Sequence, residues 1–134
     1  AEFFALELTA AVEALELPAL TPLPGAPASL LGMTTIRGAS IPVFAASRVL
    51  EVEGRTSGEG VLVVVRDGTR CIGMVVDEVE DVIMADLTTM QQPMESMRGG
   101  GVVRGVVRSG SRLVAVLAAG MVVRVGSSAM PGGA

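Results

Sequence analysis

The run Val61-Leu62-Val63-Val64-Val65-Arg66-Asp67-Gly68-Thr69-Arg70-Cys71-Ile72-Gly73-Met74-Val75-Val76 leaves the chain little choice of local fold. Its Val and Ile content suits a pleated strand better than a helix. Asp67-Gly68 interrupts it at the centre, and that pair favours a type I′ turn. The prediction is a hairpin, with Val61–Arg66 leading out and Thr69–Val76 returning. A second stretch echoes the first. Val64-Val65-Arg66-Asp67-Gly68-Thr69-Arg70 matches Val106-Val107-Arg108-Ser109-Gly110-Ser111-Arg112 in character, position by position. A second hairpin is therefore expected, pairing Val102–Arg108 with Arg112–Leu117. Two readings of the echo stand side by side. Either one β unit occurs twice, or any tight hairpin selects β-branched flanks around a polar-Gly turn.

The rest of the chain reads as further short strands. Phe3–Leu8 alternates loosely, and Val12–Leu17 follows as a strand or a short amphipathic piece. Alanines in Thr9–Ala14 leave a helix open there. Pro18, Pro22, Pro24, Gly25 and Pro27 mark an ordered loop, because proline removes backbone donors and disfavours helix before it. Pro27–Gly32 has the signals of one helical turn. Strands are expected at Met33–Ile36 and Ile41–Phe44, with a short helix over Ala45–Leu50. Glu53–Gly60 and Gln91–Gly101 read as loops. Val79–Met84 and Met121–Val125 read as strands, and Ser127–Ala134 as a flexible tail. Many short strands punctuated by turns favour small barrels or a sandwich.

What the chain lacks narrows its function. It has no His, Trp or Tyr, and all ten basic residues are Arg. General acid–base catalysis near neutral pH draws on His, a shifted Lys or a raised carboxylate. Ser-His, Cys-His and Ser-Lys nucleophilic pairs are therefore impossible, as is a phosphate cradle ending in Lys. One Cys cannot close a zinc site. It also suits a reducing compartment and argues against a disulfide framework. Three Phe and a net charge of −4 speak against nucleic acid, whose binders show a basic face and stacking aromatics. The longest apolar stretch, Leu113–Val123, is shorter than the roughly 20 residues of a membrane span, so no direct membrane insertion is expected. No secretory signal is visible. Asp77, Glu78, Glu80 and Asp81 are the dense carboxylates. A divalent-metal hydrolase would have to use Asp77, Glu80 and Asp81. On a strand, however, Asp77 and Asp81 share one face and Glu80 the other, which reads instead as an exposed strand end. Cys71, in an alternating strand, reads as a buried, inert thiol. Met84, Met90, Met94 and Met97 read as fillers beneath a loop.

Two blocks carry a resemblance. The first is Gly32-Met33-Thr34-Thr35-Ile36-Arg37-Gly38-Ala39-Ser40-Ile41-Pro42-Val43, preceded by Pro24-Gly25-Ala26-Pro27. The second is Gly73-Met74-Val75-Val76-Asp77-Glu78-Val79-Glu80-Asp81-Val82. In this order and spacing they resemble the CheW family of chemotaxis coupling proteins, and the likeness runs from Phe4 to Val125. It implies an all-β fold with minor α, made of two small SH3-like five-stranded β-barrels sharing a hydrophobic core. A single domain over residues 1–126 and a tail over 127–134 follow. It also implies a cytoplasmic, non-catalytic adaptor without cofactor or metal. Such an adaptor couples the cytoplasmic tip of a chemoreceptor to the regulatory domain of a CheA-type histidine kinase. Two related readings are an accessory protein that binds receptor but not kinase, and a regulatory domain excised from a kinase.

Three departures from the family pattern matter. The family has a further strand ahead of the one at Phe4, of which this chain carries only part. One barrel is then expected to be incomplete, with an open edge suited to self-association. Phe44-Ala45-Ala46 stands where the family has a hydrophobic-Asp-Leu sequence. Glu78 replaces a small residue.

The resemblance assigns partner-binding positions. Val12, Gly32, Val61, Leu62 and Val79 match positions that line the receptor groove. Residue chemistry alone reads all five as core. Val61 and Leu62 adjoin on one strand and must face opposite ways. Arg37 matches the family's Arg in its Arg-Gly pair. Between apolar strands its guanidinium can grip a partner's carboxylate or carbonyls, or form an internal bridge to Asp77 or Asp81. Gly38 and Gly73 are expected to allow close backbone approach or a bulge.

Overall fold

The computed structural model describes residues 3–50, 60–92 and 100–128. The expected loop Glu53–Gly60 therefore lies outside the described residues except for Gly60. So do Met94, Met97, most of the Gln91–Gly101 loop and the tail from 129 onward. The strands are β1 (Phe3–Ala5), β2 (Ala11–Glu16), β3 (Leu30–Ile36), β4 (Ala39–Ala45), β5 (Val61–Asp67), β6 (Arg70–Val76), β7 (Val103–Ser109) and β8 (Arg112–Leu117). Two α-helices, α1 (Ala46–Val49) and α2 (Ala119–Ser128), and two short 3-10 turns complete the described residues. The strands form a five-stranded sheet ordered β2-β5-β6-β4-β3 and a three-stranded sheet ordered β1-β8-β7. The all-β class with minor α is thus what the chain adopts.

Both expected hairpins form, in one register. Asp67 pairs with Arg70 and Ser109 with Arg112, so each loop has two residues. Gly68 and Gly110 occupy the first loop position at φ of 61° and 62°, and neither Thr69 nor Ser111 in the second position has positive φ. A glycine in that position defines a type II′ turn, not the I′ turn expected of Asp67-Gly68. In each unit the returning strand also pairs in parallel with an earlier strand: β6 with β4, and β8 with β1.

The five-stranded sheet curls. Its far edge, β3, is met by the chain leaving β2, where Thr21 and Met33 exchange two backbone hydrogen bonds of 2.8 Å. Ile41, Val43, Leu62, Val64 and Val75 fill the inside of the curl. On the other face lies a core common to both sheets. Leu30, Phe44, Val63, Val65, Ile72 and Met74 from the larger sheet meet Val103, Ala115 and Leu117 from the smaller. The smaller sheet keeps a minor core of its own, Val107, Val114 and Val116, covered by Phe3, Ala5 and Met90. The expected shared core between two β units is present, with three strands in the smaller unit among the described residues.

Two expected strands are absent. Met121–Val125 lies within α2, not in a strand. Its Val residues favour β structure locally, but Val122, Val123 and Gly126 are buried at helical spacing. A side chain at Gly126 would press against Ile72 and Phe44, so the small residue lets the helix lie close on the sheet. Val79–Met84 forms no regular structure. Among the described residues no strand pairs with it, and an isolated extended segment has nothing to satisfy its ladder. The helical turn expected at Pro27–Gly32 gives way early to β3, which begins at Leu30.

Candidate functional site

Three of the eight positions singled out above, Arg37, Gly38 and Val12, lie at the β3–β4 turn or next in sequence to the residue that this turn contacts. Arg37 and Gly38 form the two-residue turn between β3 and β4, with φ of 51° and 82°. Positive φ at both loop positions is the type I′ turn, in which the second residue is favourably Gly. Arg37 is the non-glycine residue with positive φ among the described residues. From this turn its side chain reaches β2. Nε donates to Glu13 Oε1 at 3.1 Å, and Nη2 donates to Oε2 at 3.3 Å.

This arrangement corrects the expectation for Arg37 twice. The guanidinium is not set between apolar strands, since its side chain is 77% exposed. Its bridge is to Glu13, not to Asp77 or Asp81. The hydrogen bonds and charge of Glu13 raise the Arg37 pKa above its ordinary value. The bidentate fork holds the guanidinium plane fixed while leaving donors exposed.

Val12 stands beside Glu13 and projects because β2 bulges there. Ala11 pairs with Val65 and Glu13 with Val64, so Val12 has no partner of its own. A bulge of this kind re-aims a side chain, and Val12 is 40% exposed.

Three further positions lie within the same sheet. Glu13, Val64, Gly73, Val43 and Gly32 occupy one row across all five strands. A Cβ on Gly73 would lie 2.7 Å from Leu62 Cδ1, and one on Gly32 would lie 2.8 Å from the Thr21 carbonyl. Both glycines thus permit close approach, as expected of Gly73. Leu62 is fully buried inside the curl and presents no surface. Val61 is half-buried at the far end of β5, opposite Val76. Val79 is exposed on the segment that follows. Those two do not join Val12 and Arg37.

Sequence reasoning missed Glu13. It lies 24 residues from Arg37, and no local signal pairs them. It also missed that Arg112 joins three elements. Its Nη1 donates to Glu80 Oε1 at 2.7 Å, and its guanidinium carbon sits 4.1 Å from the Phe3 ring centroid. A cleft of about 460 Å³ lies elsewhere, between the β5–β6 turn and α2, lined in part by Asp67, Thr69, Arg70 and Arg124. It includes none of the eight positions.

Comparison with known proteins bears on these positions. The sequence matches the model of the CheW-like domain over residues 1–125. A search of curated proteins gave no match. Among solved structures the fold is similar to that of the scaffolding protein TtCheW from Thermoanaerobacter tengcongensis. The TM-score is 0.78 at 21% identity, covering 87% of this chain and 82% of that one. At that identity the structural likeness speaks for the fold, while the family match spans nearly the whole chain. The chain belongs to the family of CheW-like domains.

Proposed function

We propose that this chain is a non-catalytic chemosensory adaptor that couples the cytoplasmic tip of a chemoreceptor to a CheA-type histidine kinase. Membership of the CheW-like family supports a scaffold role in chemotaxis. The observation that carries the reading is the backbone at Arg37. A left-handed conformation is unfavourable for a side chain as large as Arg, and Asn or Gly would occupy it more readily. Exposed ion pairs contribute little to stability. An arginine held in such a place by an exposed pair is best explained by what it offers a partner.

In this reading the outward donors of Arg37 take carboxylates or carbonyls of the receptor, and Val12 supplies an apolar contact beside them. Gly38 sets the turn. Gly32, Leu62 and Gly73 act from beneath by fixing the row that carries Glu13. Val61 and Val79 extend the contact from the far end of the β5–β6 hairpin. A helical receptor hairpin laying an apolar stripe on such a surface follows a common recognition mode. No described helix is long and apolar enough to cross a membrane, so on this reading the chain meets the membrane through its receptor.

The decisive variant is Arg37→Asn. Asn-Gly is a preferred I′ pair, so the turn and the fold should persist with equal or better stability. Binding to a purified receptor cytoplasmic fragment, measured by calorimetry, should weaken by roughly tenfold or more, as for an interface arginine. Unchanged receptor affinity in Arg37→Asn, or no binding by the unmodified chain, would overturn the reading. Titrating a kinase regulatory domain in parallel separates the coupling role from that of an accessory protein that engages the receptor alone.

A further inference from the structure

The two hairpin turns share one register but not one setting. Arg70 closes the β5–β6 turn as Arg112 closes the β7–β8 turn, each directly across from the residue that opens it. Arg112 is satisfied from within the chain. It donates to Glu80 at 2.7 Å, and its guanidinium lies over the Phe3 ring. Glu80 belongs to an irregular segment that runs on to Gln91, which bridges to Val106 on β7. The smaller unit thus shows what an arginine in this position does. It holds a carboxylate carried by an extended stretch of chain.

Arg70 has no such carboxylate. Among the described residues its guanidinium forms no ion pair or hydrogen bond, and neither does that of Arg124. Arg37, Arg104 and Arg112, by contrast, each hold a glutamate. Asp67 stands directly across from Arg70 and still does not pair with it. Its carboxylate lies against α2, where a Cβ on Gly120 would be 3.2 Å from Oδ2. Arg70 and Arg124 line the cleft of about 460 Å³ between this turn and α2, together with the apolar Ala118, Met121 and Val123. Two guanidinia against one carboxylate make the cleft basic, in a chain whose net charge is −4. Like charges gathered in a concavity draw the opposite charge from outside.

We propose that this cleft receives an extended segment of a partner protein that carries a carboxylate beside an apolar side chain. Arg70 and Arg124 take the carboxylate through charge-assisted N–H donors. The apolar side chain lies on Ala118 and Met121. A small free anion would leave that apolar wall uncovered, whereas a peptide segment covers both parts of the cleft. The pairing repeats between two proteins what Arg112 and Glu80 do within one. None of the eight partner-binding positions lines the cleft, so binding here stands apart from the coupling role.

The test uses the 134-residue chain and three labelled peptides of equal length, containing Glu-Leu-Glu, Gln-Leu-Gln or Lys-Leu-Lys. Fluorescence anisotropy should show binding of the Glu peptide and not of the other two. On its addition, NMR amide shifts should concentrate at residues 68–70 and 120–124, on the two walls of the cleft. The double variant Arg70→Glu, Arg124→Glu should lose roughly tenfold in affinity for the Glu peptide and gain affinity for the Lys peptide, since complementary potentials set partner choice. A gain cannot come from unfolding. Three results would each overturn the proposal: equal affinity for the Glu and Gln peptides, amide shifts centred away from the cleft, or a double variant that still prefers the Glu peptide.

Discussion

The five-stranded and three-stranded units begin from nearly the same local sequence and end differently. Each has a hairpin with a two-residue turn led by glycine, at φ of 61° in one and 62° in the other. Each returns along a strand parallel to an earlier one. In the larger unit β2 and β3 flank this shared motif and the sheet curls onto its own core. In the smaller unit one bridge stands on one side, and the other edge is bare among the described residues. Local sequence therefore sets the hairpin and its register, while the flanking chain sets how much of the motif is covered. The smaller unit shares its second face with the larger, through Ala115, Leu117 and Val103.

That sharing makes Phe44 the position of largest effect. Its ring is fully buried in the common core. Phe44→Ala should cost about 3–5 kcal/mol and destabilise both units together. Urea unfolding followed by hydrogen exchange at Val64 and at Val107 should show both sites shifting by the same amount. Were only the larger unit to loosen, the two would have to be independent domains. The private cores should differ in a graded way. Val64 and Val107 are almost equally buried, at 3% and 2% exposure. Val64→Ala should cost about 2 kcal/mol, from two lost carbons plus a cavity in a closed setting. Val107→Ala should cost nearer 1 kcal/mol, because the small cluster of Val107, Val114 and Val116 lies under few elements and can close the gap. Equal losses would mean that the smaller unit is as tightly enclosed as the larger.

What the sequence makes legible follows the same division. The hairpins could be read because strand alternation and a glycine turn are properties of neighbouring residues. The turn type could not, since one residue's shift in register separates I′ at Asp67-Gly68 from II′ at Gly68-Thr69. The strand expected over Met121–Val125 fails because packing outweighs Val propensity once Val122 and Val123 join the common core and Gly126 lies against Ile72 and Phe44. The spacing of Gly120 and Gly126 around the valines was the available signal. Val79–Met84 has strand composition but no described partner, and a strand is defined by pairing that composition cannot supply. The Arg37–Glu13 fork depends on a curl that brings β2 against the β3–β4 turn. A contact between residues so far apart in sequence leaves no trace in either neighbourhood.

The smallest effect expected concerns how each unit holds its irregular connection. In the larger unit the chain after β2 is fixed by strand-like bonds from Thr21 to Met33. In the smaller, the corresponding hold is local and carries charge. Asp86 caps the 3-10 turn Leu87–Thr89, its Oδ1 accepting from the Thr88 hydroxyl at 2.5 Å and from the Thr88 amide at 3.0 Å. The Thr88 hydroxyl, and secondarily its amide, lower the Asp86 pKa below the ordinary carboxylate value. The folded pKa is depressed, so the capping contribution is fully present above the unfolded value of about 3.9. It is lost as pH falls through the folded value. An NMR titration should therefore show the Asp86 carboxyl and the Thr88 amide shifting together, below the pH at which an unstructured Asp titrates. Thr88→Val removes the hydroxyl and should move that midpoint upward, while Thr21 and Met33 amide shifts stay flat in both proteins. Acid-dependent movement at Thr21–Met33 would show that the two connections are coupled through the shared core and are not held separately.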